Sequence, residues 1–121
     1  MSQLDAGQFA VELARLASDL KADEVVVLDV RGMSSLSDYL LICTGTSDRQ
    51  MRSVCDKMRE YGARVGERPL GVSGYDTDSW ILVDFVDVVV HVFAAAYRSY
   101  YDLELLWGDA PRIAWQRSES A

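Results

Sequence analysis

Apolar positions along this chain fall into two kinds of run, long ones with helical spacing and short β-branched ones. Near the start, Phe9, Leu13, Leu16 and Leu20 follow at offsets of four, three and four, opposite Glu12, Arg15 and Asp19. Asp5 is placed to cap this helix, with Gln8 three residues on completing a capping box. Glu24–Val30 reads as a strand, Arg31–Ser35 as a turn, and Tyr39–Thr44 as a second strand. The second is apolar on both faces and so interior to a sheet. Gly45-Thr46 leads into another capping box, Ser47 with Gln50. The helix it opens carries Met51, Val54, Cys55, Met58, Tyr61 and Val65 on one face.

Pro69, Gly71 and Gly74 punctuate the next stretch, with a short strand around Leu70–Val72. Trp80–Phe93 (WILVDFVDVVVHVF) predicts two strands around a turn at Asp84–Asp87. Phe85-Val86 suits a two-residue primed turn poorly, because both residues would need positive φ. A last helix is expected from Ala95 to Trp107, with Gly108 as its C-cap and Pro111 forbidding continuation. The order α-β-β-α-(β)-β-β-α is that of an α/β (α+β layered) domain, a mixed sheet of four to five strands with about three helices. Residues 1–110 form its single domain, and 111–121 read as a polar tail with Trp115 as one anchor candidate.

The hairpin predicts a surface. Placing Asp84 opposite Asp87 pairs Val83 with Val88, Leu82 with Val89, Ile81 with Val90 and Trp80 with His91. Residues directly opposite share a face. One face then holds Trp80, Leu82, Val89 and His91, and the other Ile81, Val83, Val88, Val90, Phe85 and Val92. Three helices cover one face of such a sheet more readily than two. The Ile/Val face suits the helix-packed core, which leaves the Trp/Leu/His face for a partner. The competing reading keeps a helix over this face too and makes Trp80 a core residue.

Composition narrows the function. With 121 residues, 50% hydrophobic and 26% charged, the chain has the balance of one globular domain able to bury a core. Its net charge of −7 disfavours nucleic acid as the primary partner and favours a basic protein surface. The longest apolar runs fall far short of the roughly 20 residues of a membrane helix. The first residues resemble neither a signal nor a transit peptide. Cys43 and Cys55 sit outside any metal-binding spacing and read as buried thiols of a reducing compartment, the cytoplasm.

Candidate chemistry is thin. His91 is the only histidine, and no Ser or Cys lies in a nucleophile-elbow pattern. Flanked by valines, it reads as a neutral strand histidine with a hydrogen-bond partner, or as part of the apolar patch. Thr44-Gly45-Thr46-Ser47 before a helix lacks both the P-loop and the dinucleotide-binding spacing. Together with Asp84 and Asp87 it echoes the layout of nucleotidyltransferases, which hold magnesium on paired carboxylates. Polar residues are expected at a turn in any case, so no metal, cofactor or catalytic residue is assigned.

Several stretches nonetheless resemble one family. Asp38-Tyr39-Leu40-Leu41-Ile42-Cys43-Thr44-Gly45-Thr46-Ser47-Asp48-Arg49-Gln50 is similar to the signature of the ribosomal silencing factor (Iojap) family. So are Trp80–Asp84, Asp87–Phe93 and Arg98–Trp107. The four motifs come in the family's order, and the resemblance covers about Asp23 to Pro111. The resemblance implies a nucleotidyltransferase-like fold without the active site and a non-enzymatic repressor of translation. Such a protein binds the large ribosomal subunit through ribosomal protein fourteen and blocks joining of the small subunit under nutrient limitation. It carries the docking anchors onto Trp80 and Leu82, with Val89 and His91 beside them. Where the family usually has Gly before the second Asp of the turn, this chain has Val86. A nucleotidyltransferase-like enzyme, or a module forming a homodimer through the same apolar face, remain alternatives.

Overall fold

A computed structural model describes residues 4–77, 79–98 and 107–117. The elements are α1 (Ala6–Asp19), β1 (Asp23–Asp29), β2 (Tyr39–Gly45), α2 (Asp48–Arg64), β3 (Gly71–Ser73), β4 (Trp80–Asp84), β5 (Val88–Ala94) and α3 (Ala95–Arg98). The five strands form one open mixed sheet in the order β1-β2-β5-β4-β3. Only β2 and β5 run parallel; the other neighbours are antiparallel. This is the α+β layered domain that the element order predicts. The last helix expected to Trp107 is described only as far as Arg98, because 99–106 lie outside the described residues.

Both long helices start where their caps predict. Asp5 accepts from the Gln8 amide at 2.8 Å, and the Gln8 side chain accepts from the Asp5 amide at 3.2 Å. Ser47 accepts from the Gln50 amide, but the Gln50 side chain reaches the Thr46 amide instead of that of Ser47. Its Nε2 donates to the Leu20 carbonyl, tying the start of α2 to the end of α1. Beyond Leu20, Lys21 adopts φ +72. The amides of Lys21 and Ala22 donate to the carbonyls of Ser18 and Ala17, a Schellman-type ending.

α1 and α2 cover one face of the sheet. Phe9, Leu13, Met51, Val54, Cys55 and Met58 pack there against Val27, Leu41, Cys43, Ile81, Val83, Val90 and Val92. Phe9 meets Phe85 edge-on at 5.0 Å and stacks on Tyr61 at 6.0 Å. Burying a large apolar side chain of this kind contributes roughly 1.5–3 kcal/mol. Burial pushes the Cys43 thiol up to about 12 and that of Cys55 up to about 11, so both stay protonated.

The segment after Pro111 is fastened to β1. The Asp29 amide donates to the Pro111 carbonyl and the Ile113 amide to that of Val27, with a ladder bridge between Leu28 and Arg112. Trp115 donates its indole N–H to the Val25 carbonyl at 3.0 Å, while its own carbonyl accepts from Arg15 Nε at 2.8 Å. Arg117 pairs with Asp19 through two hydrogen bonds. The segment thus covers the backbone edge that β1 would otherwise present to solvent.

Candidate partner-binding face

β4 and β5 carry the four predicted site residues on one face, although their register differs from the expected one. Trp80 pairs with Phe93, Ile81 with Val92, Leu82 with His91, Val83 with Val90 and Asp84 with Val89. The strands are slid by two residues relative to the pairing across Asp84 and Asp87. A slip of two keeps every side chain on its face, so the face assignment survives where the register does not. The cause lies in the turn. Phe85 donates to the Val88 carbonyl, closing a tight loop with Val86 at φ +76. The Asp84 carboxylate accepts from the Val86 amide at 2.7 Å and holds this conformation.

The face opposite α1 and α2 has a smaller core of its own: Leu28, Val30, Leu40, Ile42 and Phe93 under Ala110. Val26, Trp80, Val89 and Trp107 pack at its margin, partly exposed. Leu82 is likewise partly exposed. Trp80, Leu82 and Val89 therefore form an apolar strip open on one side, neither fully in the core nor isolated on the surface. His91 differs from them, being only 8% exposed.

His91 and Trp80 are joined. The Trp80 indole N–H donates to His91 Nδ1 at 3.1 Å, and its ring lies on Phe93 with centroids 5.0 Å apart. His91 in turn stacks on Phe93 at 6.1 Å. Burial lowers the His91 pKa from 6.5 to about 4, so the ring is neutral near pH 7 and Nδ1 is free to accept. On the far side, Gly74 holds the approach to β4. It adopts φ +75, and a Cβ there would run into the Trp80 carbonyl. The indole is thus held by its ring neighbours and by its own backbone.

Other predicted chemistry is absorbed by structure. The amides of Asp38 and Tyr39 both donate to the Asp87 carbonyl, tying the turn to the start of β2. The Asp84 carboxylate is engaged in the turn. No group of three or more His, Cys, Asp or Glu side chains able to hold a metal occurs among the described residues. The sequence predicts a hydrogen-bond partner for His91 without naming Trp80, and it sets the two rings directly opposite where the structure sets them diagonally.

Comparison with known proteins decides the family: the model described as "ribosomal silencing factor during starvation" matches residues 3–121. The chain belongs to the ribosomal silencing factor family. It is 43% identical to the ribosomal silencing factor RsfS of Bacillus subtilis, covering 81% of this chain and 83% of that one. Identity to RsfS of Halalkalibacterium halodurans is 39%, over 93% and 94%. The chloroplastic Iojap protein of Zea mays is 39% identical over 87% of this chain and 46% of its own length. Among solved structures, a Chromobacterium violaceum protein superposes with a TM-score of 0.78 at 35% identity, covering 84% of this chain and 85% of that chain. A Bacillus halodurans protein gives 0.75 at 36%, covering 88% and 98%. Membership in the silencing factor family supports ribosome-associated regulation of translation. No helix among the described residues is long and apolar enough to cross a membrane.

Proposed function

We propose that this protein is a cytoplasmic, non-enzymatic repressor of translation. It binds the large ribosomal subunit through ribosomal protein fourteen and blocks joining of the small subunit when nutrients are scarce. The observation that carries this reading is the strip formed by Trp80, Leu82 and Val89, an aromatic anchor with aliphatic neighbours on a partly exposed sheet margin. A tryptophan in such a position is among the residue types enriched at binding hot spots. His91 contributes from beneath, by fixing the indole it accepts from. Preorganising the anchor lowers the entropy lost on binding.

Charge supports the choice of partner. At −7, the chain is attracted to a basic ribosomal protein and repelled by the surrounding RNA phosphates. The test is co-sedimentation of the purified protein with isolated large and small subunits. Wild type is expected to travel with the large subunit alone, and Leu82→Ala to bind at least ten-fold more weakly while keeping its circular dichroism spectrum. Equal binding by a folded Leu82→Ala would remove the strip from the interface.

A further inference from the structure

We infer that the loops at one end of the sheet form a second apolar contact, rimmed by carboxylates, that docks on a basic protein surface. This inference rests on the ribosome-binding reading above and extends its interface beyond β4 and β5. Five large hydrophobic side chains are well exposed among the described residues, and four of them sit at this end: Leu36, Leu70, Val86 and Met33, at 87%, 75%, 51% and 43%. They come from three separate loops that hydrogen bonds hold together. The Asp38 and Tyr39 amides donate to the Asp87 carbonyl, joining the β1–β2 loop to the β4–β5 turn. The Leu70 amide donates to the Asp84 carbonyl at 2.7 Å, joining the approach to β3 to the same turn. Gathered at one end of the sheet by three bonded loops, these four side chains are read as one patch, whereas single ones scattered over a surface need no explanation.

Val86 gives a second, independent indication. A β-branched residue at φ +76 is strained, and its side chain is half in solvent, so packing does not offset the strain. Glycine would adopt that φ freely. A contact of the Val86 side chain outside the domain would offset the strain that packing within the domain does not.

The rim selects the occupant. Asp38, Asp84 and Asp87 lie in the same loops as the patch and outnumber the exposed Arg68 beside Leu70, while Arg31 at the same end is taken up by Asp29 through two side-chain hydrogen bonds. A second copy of this chain would set these carboxylates against their own kind, and RNA would set them against phosphates. A basic protein surface meets both the apolar centre and the acidic rim. The patch is also continuous with the strip on β4 and β5, because Asp84 pairs with Val89 and lies two residues from Leu82.

The experiment measures affinity for purified large subunits, with thermal melting and sedimentation of each protein alone alongside. The Leu36→Ser/Leu70→Ser double variant is expected to melt like wild type yet bind ten-fold or more weakly. Val86→Gly is expected to melt higher than wild type and bind at least three-fold more weakly, a combination that a purely structural role does not produce. Leu36→Arg should bind more weakly than Leu36→Glu. Wild-type affinity in the double variant, with Trp80→Ala still impaired, would overturn this inference alone. Tighter binding by Leu36→Arg than by Leu36→Glu would mean that phosphates face the patch. A wild-type dimer dispersed by the double variant, with subunit binding unchanged, would make a second copy the occupant. Absence of wild-type binding to any subunit would overturn the functional reading and this inference with it.

Discussion

The indole of Trp80 reaches diagonally across the β4–β5 ladder and donates to Nδ1 of His91 at 3.1 Å, although Leu82 and not Trp80 is the cross-strand partner of His91. One partly exposed aromatic is thereby held by a buried polar side chain of its face. The bond exists only while Nδ1 is unprotonated, which ties the anchor's geometry to the histidine's titration.

That coupling sets a pH dependence. His91 takes up its proton near 6.5 in the unfolded chain and near 4 in the folded one, because burial disfavours the charged ring. Between these values the unfolded state binds more protons, so stability is full above about pH 6.5 and falls as the pH drops toward 4. The shift corresponds to about 3 kcal/mol. Urea melts from pH 7 to 4 are expected to show this decline, and His91→Gln should flatten it. A wild-type curve that stays level between pH 6.5 and 4 would show that the ring is not shielded as described.

Trp80→Ala uncovers His91. The variant is expected to lose about 1–3 kcal/mol of stability, well within the reserve of an ordinary domain, and to remain folded. With the indole gone, water reaches the imidazole and its pKa moves up toward 6.5, a change readable by NMR titration of the single histidine. An unchanged His91 titration would mean that the strand environment alone, and not Trp80, keeps it neutral.

Val86→Gly should stabilise the fold. Removing a β-branched side chain from φ +76 relieves strain at a position where its packing contributes little. The expected gain is about 1 kcal/mol after the greater freedom of glycine in the unfolded chain is counted, or roughly 4 °C in Tm. A lower Tm would show that the Val86 side chain has an intramolecular contact worth more than the strain.

Trp115→Ala tests whether the last described segment belongs to the folded unit. It removes the indole bond to the Val25 carbonyl and the packing beside β1. A loss of about 2 kcal/mol is expected by chemical denaturation. No loss would mean that the segment rests on β1 without supporting it.

Most of the architecture was legible because local rules and long-range packing agree. The helix with Phe9 and Leu13 and the helix with Met51 to Met58 are amphipathic, capped and buried on the side their spacing predicts. The hairpin register was not legible, because the turn depends on Val86 adopting a φ that a β-branched residue avoids, with Asp84 as its clamp. Face identity survived, since a shift of two residues leaves the pleat unchanged. The terminal segment read as polar because it is fastened mainly by backbone bonds to β1, with only Ile113 and Trp115 packing on the core, which leaves no hydrophobic periodicity. The depth of His91 was hidden for a related reason: it depends on Phe93 and Trp80 closing over it from two strands.

The most direct test of the central claim is a subunit-joining assay. Large subunits are incubated with wild type or with folded Trp80→Ala, small subunits are added, and the joined particle is measured by sedimentation. The account predicts that wild type suppresses the joined particle and co-sediments with the large subunit, while Trp80→Ala does neither. Normal joining with wild type bound, or suppression equal in the variant, would contradict it.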